Sequence, residues 1–390
     1  MVVRMTNKPP FDGERVRLGE LIGKAKVNRC GDRQFPVLSM TMHDGIVRQR
    51  DRFKKAIASK DTSTYKIVYP QQLVVGFPID EGVIYVQNFA EPGIMSPAYN
   101  IWDIDTSKVL PAYLELALHS PQAMTYYAAQ MKGTTARRRT LSSDKLCDIR
   151  VPLPSLGRQL QTVRLFQQVR SLSHVNERNM AKLDLLVKSR FVEMFGDLDS
   201  DDSRPLKDVC SIITDGTHQS PKFVDEGIPF LFVSNIASDV VDYETNKFIS
   251  AEDYEQLIRR TPIEIGDVLV SAVGSFGHPA VVRDGRPFCF QRHIAYLKPR
   301  HNLVDSDYLH AALLSDDAQR YMDRCAKGVA QRTVTLKSFK EMKIPVPSMC
   351  LQEEFAAFVS QVDKLRFEAQ KQKDELQTLY DSLAQEYFAI

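Results

Sequence analysis

The apolar positions of this chain follow two patterns, and the pair recurs in the same order. Short β-branched or aromatic runs come first: Phe35-Pro36-Val37-Leu38, Leu73-Val74-Val75 and Val83-Ile84-Tyr85-Val86, then Pro229-Phe230-Leu231-Phe232-Val233, Val268-Leu269-Val270 and Ala280-Val281-Val282. Gly, Pro and Asp bound these runs, so they read as strands. One helix is predicted near Ala112–Met131 and another near Asp307–Ala326. Pro-rich stretches follow at Val151–Pro154 and Ile344–Pro347; proline disfavours helix in the residue before it, so each marks a boundary. Each copy then closes on a long run whose apolar residues alternate in steps of four and three. In the second copy these are Leu351, Phe355, Phe358, Val362, Leu365, Ala369, Gln372, Leu376, Leu379 and Leu383. In the first they are Leu165, Val169, Leu172, Asn176, Asn179, Leu183 and Leu186. That spacing predicts an a/d heptad seam, in which the equivalent polar residues Asn179 and Gln372 would fix register. Two helices of ~35–40 residues would each be ~50–60 Å long at 1.5 Å per residue. Packed as an antiparallel pair, they close the relation between the copies within one chain.

Residue by residue the copies align at two offsets. At 195, Tyr113-Leu114 meets Tyr308-Leu309, Ser120, Ala123 and Tyr126 meet Ser315, Ala318 and Tyr321, and Lys132-Gly133 meets Lys327-Gly328. After a two-residue deletion, Pro152–Ser155 meets Pro345–Ser348 and Gln159 meets Gln352. Under the same 193 offset Gly23 aligns with Gly216. The implied organisation is a module over 1–156, a long helix over 157–197, an acidic linker over 198–203, a second module over 204–348 and a second long helix over 349–390. A duplicated molecule suits a target with two halves, and a DNA duplex is the target most often read that way.

Composition narrows the picture. A chain of 390 residues, 43% of them hydrophobic, has enough apolar content for two to four domains. No apolar run approaches the ~18 residues of a membrane span, and the start lacks a secretory h-region. Six scattered cysteines form no CxxC pair and read as reduced cytosolic thiols, mostly core filler. The charge is unevenly placed. Residues 1–156 hold 22 Lys and Arg against 15 Asp and Glu, net +7, while residues 204–347 hold 18 against 19, net −1. The first module is therefore the better candidate for a polyanion surface; the second needs a segregated basic face.

Catalytic signatures are absent: no Walker A loop, no HExxH, no metal-ligand spacing among the eight histidines, and Gly274-Ser275-Phe276-Gly277 reads as a turn. The chain looks like a binder. Candidate contact residues lie in loops: Thr217, His218 and Lys222 after the turn Asp215-Gly216, Asn235 at the end of a strand, and Gln291, Arg292 and His293 before another. In the first module Lys24, Asn28, Arg29, Arg33, His43, Arg48, Arg50 and Arg52 crowd one region. Arg and Lys can read guanine, Asn and Gln adenine. The repeated post-helix turn carries Lys132, Arg137 and Arg138 in one copy and Lys327, Gln331 and Arg332 in the other. Cations there suit phosphate contact, or a helix C-terminus facing its dipole.

The segment Leu206–His218 resembles the opening of a target-recognition domain in type I restriction–modification specificity subunits. So do Gly227–Leu231, Gly266–Val270 and the run from Lys327 through Ile344–Pro347 to Gln352. The order domain, helix, domain, helix extends the resemblance over nearly the whole chain. It implies an α+β fold of two tandem target-recognition domains, each a mixed sheet with helices, separated by two long helices in an intramolecular antiparallel coiled coil. It also implies a non-catalytic, cytoplasmic DNA-binding subunit. Each domain would read one half of a bipartite asymmetric site, and the helices would set the spacer and dock two modification subunits. Two restriction subunits would join for cleavage. No cofactor is expected on this chain; S-adenosylmethionine, ATP and Mg belong to the partner subunits. A duplicated coiled-coil scaffold that binds protein and not DNA is the reading from another class.

Overall fold

The computed structural model describes residues 14–42, 44–52, 61–130, 140–196, 203–328 and 331–388. The chain forms two compact units, one of residues 1–176 with 372–390, the other of residues 177–371. Each is built on a four-stranded antiparallel sheet. In the first unit β1 (Ile22–Lys24), β2 (Leu73–Val75), β3 (Ile84–Val86) and β4 (Asn100–Ile104) lie in the order β1-β4-β2-β3. In the second, β5 (Cys210–Asp215), β6 (Val268–Ser271), β7 (Pro279–Val281) and β8 (Ile294–Pro299) repeat it as β5-β8-β6-β7. Register repeats too, since Leu73 pairs with Trp102 and Val268 with Leu297.

The sheets are buried on both faces, with side chains alternating along each strand. In β2, Leu73 and Val75 face the helices with Tyr113, Leu114 and Leu118, while Val74 packs with Ala25, Val68, Met95 and Ile101. In β6, Val268 and Val270 face Tyr308, Leu309 and Leu313, while Leu269 joins Leu231, Phe288, Phe290 and Tyr296. The α+β class expected from the sequence holds. The predicted single helix near 112–131 is instead two, Pro111–Leu118 and Pro121–Gln130, and its counterpart is Ser306–Leu314 and Asp316–Cys325. The break has a local cause. Ser120 and Ser315 each accept a hydrogen bond from the backbone of the residue three ahead, which starts a new helix, and Pro121 sits at a first-turn position where its missing N–H costs nothing.

A repeated set of buried hydrogen bonds ties each unit to the start of its long helix. α1 spans Leu156–Phe195 and α2 spans Met349–Phe388. Gln159, fully buried in α1, accepts from Leu110 N at 2.8 Å and donates to Lys108 O and Pro154 O at 3.0 and 2.8 Å. Gln352 in α2 accepts from Asp305 N at 2.9 Å and donates to Leu303 O and Pro347 O at 3.1 and 2.8 Å. The hydroxyls of Tyr113 and Tyr308 donate to Pro152 O and Pro345 O, and those of Tyr126 and Tyr321 to Lys145 O and Ser338 O. The Pro-rich stretches are strands, paired antiparallel with Glu14–Arg17 and Ser203–Pro205.

The long helices pair antiparallel within each unit. In the first, Phe166 of α1 lies against Tyr380, Tyr387 and Phe388 of α2, and Arg170 donates to the Tyr380 hydroxyl at 2.9 Å. In the second, Phe191 and Phe195 of α1 pack on Phe355 of α2, and Arg190 reaches Glu354 at 2.9 Å. The buried face corrects the predicted seam. Val169, Asn176, Phe355, Val362, Ala369 and Leu383 are buried, and Leu183 and Leu376 half-buried, as expected. The intervening row is one residue later than predicted: Phe166, Ser173, Met180 and Val187 in α1, and Val359, Arg366 and Tyr380 in α2, are the less exposed positions. Leu172, Asn179, Leu186, Leu365, Gln372 and Leu379 are exposed, and Leu165 and Phe358 half-buried. The polar seam residue is therefore Asn176, not Asn179 or Gln372. The sequence carries two adjacent rows with the same heptad period, and a leucine row is solvated on each helix.

Candidate nucleic-acid interface

In the second unit, sheet topology gathers the separate candidate loops at one end. The end of β5 lies beside the start of β8, where Asp215 pairs with Ala295, and that start lies beside the end of β6, where Ser271 pairs with Ile294. The loops leaving these strands are stitched together. Thr217 N donates to Phe290 O at 3.1 Å and Arg292 N to Thr217 O at 3.0 Å. Ala272 N donates to His293 O at 2.8 Å, and Val334 N to Ala272 O at 2.9 Å, which brings in the post-helix turn. Lys327 pairs with Thr333 across that turn. Gly216 is required at the stitch: a Cβ there would lie 2.2 Å from Phe290 O and 2.6 Å from Gln291 O.

Each candidate now has an environment. Lys222, Arg292, Lys327 and Gln331 are exposed, and Gln291 and His293 half-buried. Burial, then the charge of Arg292, holds the His293 imidazole below its ordinary range. The Thr217 hydroxyl is turned back onto Gln219 O at 2.9 Å. Two candidates are corrected. Asn235 is buried; it accepts from Phe232 N and donates to Glu244 O, both at 2.9 Å, so its amide holds a turn and cannot read a base. The Arg332 guanidinium is engaged by the carboxylate and carbonyl of Asp323 and lies over the Phe276 ring, which removes it from the free cations.

The sequence reading missed a cluster in the same place. Asp215, whose side chain is 14% exposed, sits 2.8 Å from Arg260 Nη2 and 3.0 Å from His218 Nε2. Arg260 also reaches Thr214 Oγ1. Asp215, His218 and Arg260, together with Thr217, Leu257 and Phe290, line a pocket of about 340 Å³. Arg260 follows the helix Ala251–Leu257, far from Asp215 in sequence, and only the fold joins them. A second unforeseen chain runs from Ser275 Oγ to His278 Nε2 at 3.2 Å and from His278 Nδ1 to Asp239 Oδ1 at 3.0 Å. It braces the turn between β6 and β7, where Gly274 and Gly277 have positive φ.

In the first unit the equivalent end of the sheet is cationic. Lys24 closes β1, an exposed extended segment follows with Asn28 and Arg29, and Arg29 bridges to Lys66. Burial, and then the charges of Lys24 and Arg29, push the Lys66 ammonium below its usual range. Lys66 was not singled out from sequence; its Nζ donates to Tyr99 O at 2.6 Å, next to the start of β4. The other arginines are more committed. Arg33 donates to Cys30 O and Arg29 O and so closes its own turn, a correction to its reading as a contact residue. Arg48 lies over the Phe89 ring, Arg50 pairs with Asp51 and Arg52 with Asp44. His43, Lys132, Arg137 and Arg138 lie outside the described residues. The proposed match of Gly23 with Gly216 is corrected by register. Gly23 pairs with Asp103, whose counterpart Lys298 pairs with Ile212, so Gly216 belongs to a turn with no glycine equivalent in the first unit.

Cys30, Cys210 and Cys289 are buried, and burial raises the thiols of Cys210 and Cys289 to about 12, which leaves them inert. Among the described residues, no group of three or more His, Cys, Asp or Glu is placed to hold a metal ion, and no helix is long and apolar enough to cross a membrane.

Known proteins resemble this chain in sequence and in fold. Residues 201–378 match the family described as the type I restriction modification DNA specificity domain. Over 387 aligned residues the chain is 24% identical to the type I restriction enzyme EcoBI specificity subunit of Escherichia coli, covering 89% of this chain and 79% of that protein. It is 26% identical over 168 residues to a putative type I restriction enzyme MjaX specificity subunit of Methanocaldococcus jannaschii, covering 42% of this chain and 39% of that one. Its fold is similar to that of a chain from a solved type I restriction–modification assembly, with TM-score 0.61 at 18% identity and 98% and 99% coverage of the two chains. It is also similar to the S subunit of a type I restriction–modification system from M. genitalium, with TM-score 0.50, 14% identity and full coverage of both.

Proposed function

We infer that this chain, a member of the type I restriction–modification specificity-subunit family, is the component that selects the DNA sequence on which such a system acts. The observation that carries the reading is the repeated frame with unlike ends. The same sheet order, the same buried Gln and Tyr bonds and the same helix breaks occur in both units, whereas the loops at the sheet end differ in length and charge. A repeated frame with two different readers suits two unlike half-sites of one duplex. In the first unit Lys24, Arg29 and Lys66 supply an electrostatic footprint; in the second Arg292, Lys327, Gln331 and the Asp215 pocket supply donors suited to base edges and phosphates.

The chain itself is a non-catalytic subunit in this account. Two modification subunits dock along α1 and α2, where the solvated leucines Leu172, Leu186, Leu365 and Leu379 offer apolar area to a partner. Two restriction subunits complete the cleaving form in the cytoplasm. S-adenosylmethionine, ATP and Mg act on those partners. The lengths of α1 and α2 set the unread spacer, so inserting four residues in either helix changes the spacer accepted.

The test is co-expression with a modification subunit, followed by genome-wide mapping of methylated adenines. A bipartite motif with two unlike halves is expected; absence of any motif overturns the reading. The scaffold alternative, favoured only by the exposed leucine rows, predicts no DNA affinity. A phosphate-contacting protein instead loses affinity roughly linearly in log salt.

A further inference from the structure

We propose that Arg260 is a specificity-determining residue, held by Asp215 to donate hydrogen bonds to one guanine of the half-site that the second unit reads. The proposal rests on the function inferred above and adds a residue, a base and a geometry to it.

Position comes first. Asp215 is the last residue of β5, at the sheet end where the loops with Thr217, Arg292 and His293 are stitched together. Arg260 meets it from the turn after the helix Ala251–Leu257. Both line a pocket of about 340 Å³, with Leu257, Cys289 and Phe290 also in its wall.

Orientation comes next. Arg260 Nη2 donates to Asp215 Oδ1 at 2.8 Å, and Nη2 and Nε also reach Thr214 Oγ1 at 3.3 and 3.4 Å. An arginine on a loop ordinarily loses rotamer entropy when it grips a target; one already fixed by a carboxylate does not. Among the described residues Arg260 Nη1 carries no hydrogen bond, so its two hydrogens remain for a ligand. The guanidinium is about half exposed, hence reachable from outside.

The charge balance selects the ligand. Asp215 has one oxygen on Arg260 and the other 3.0 Å from His218 Nε2, so what the site offers outward is donors. Asp215 also cancels the arginine's net charge locally. A phosphate would be repelled by the carboxylate beside the cation, whereas a neutral base edge would not, and would meet the oriented donors, the amides of Gln219 and Gln256 and the apolar walls. Guanine presents two adjacent acceptors, N7 and O6, in the major groove, and the other bases do not.

The experiment maps methylated adenines in cells that co-express a modification subunit with the full-length chain, its Arg260→Ala and Arg260→Gln variants and Asp215→Asn. The wild-type chain gives the reference motif; if it gives none, the inferred function fails before this proposal is reached. With a motif in hand, both Arg260 variants are expected to relax a single guanine in one half. Discrimination at that position should fall roughly 5- to 150-fold, and the other half should stay unchanged. Asp215→Asn should relax the same position by less. An unchanged motif overturns the proposal. So does an even loss of methylation with no position relaxed, which would reassign Arg260 to phosphate or to structure, and so does relaxation at a base other than guanine.

Discussion

At the end of its sheet the first unit gathers the cations Lys24, Arg29 and Lys66, and burial, then the charges of the other two, lowers the Lys66 ammonium below its usual range. At the corresponding end the second unit gathers Asp215, Arg260 and His218 around a pocket, with acid and base in balance. Beyond the opposite end of the central strand the two units are the same. Gln159 and Gln352 make three equivalent buried bonds each, and Tyr113 and Tyr308 donate to equivalent prolines. Duplication therefore kept what positions a reader and let the reader's chemistry diverge. The modules differ in net charge as well, +7 and −1 from the sequence.

The comparison breaks first if the frames are not energetically equivalent. Phe355→Ala and Phe166→Ala each remove a fully buried ring that meets three aromatic rings of its own unit. Each should cost about 3–5 kcal/mol in chemical denaturation. A loss under about 1 kcal/mol at only one of them would show the frames to be unequal.

The readers come next. Arg292→Ala should relax one base position at a cost of about 1–3 kcal/mol. Uniformly weaker binding on an unchanged motif would make it a phosphate contact. Mapping the methylated motif of this variant decides between them.

A smaller effect separates the units by pH. His310 occupies the position of Glu115 under the 195 offset. Burial holds its imidazole below the ordinary 6.5, against the opposing pull of Asp239. The unfolded chain thus binds the proton more readily, and stability is lost as pH falls below about 6.5 toward the depressed native value. Thermal melts from pH 7.5 to 5 should show that fall, and His310→Asn should flatten it. An unaltered slope would remove His310 from the account.

The smallest effect concerns the seam. Val362→Ala should cost about 1–2 kcal/mol from lost burial, whereas Leu365→Ala should stay within about 0.5 kcal/mol in the isolated chain. Equal losses would restore the seam predicted from sequence.

These elements also explain what could be read in advance. The frame was legible because both copies must satisfy the same buried partners, so Gln159, Tyr113 and the Pro-rich strands recur at fixed offsets. One of the two rows of the long-helix seam was not. Leu172 and Leu186 sit on a row as regular as the true one, which includes the polar, half-buried Ser173. Apolar spacing alone picks the wrong member of each adjacent pair. Loop chemistry singled out Thr217, His218, Gln291 and Arg292, which the fold gathers at one sheet end, and Asn235, whose amide is spent on its own turn. Arg260 and Lys66 were invisible because their partners lie across the fold: Asp215 and Thr214 for one, the cluster of Lys24 and Arg29 for the other.

The claim that one frame carries two independent readers is tested most directly by exchange. Residues 204–348 would be replaced with the corresponding segment of the Escherichia coli relative. The chimera would then be co-expressed with the modification subunit, and the methylated motif mapped. The account predicts that one half of the motif changes and the other half is retained base for base; a change in both halves, or in neither, would contradict it.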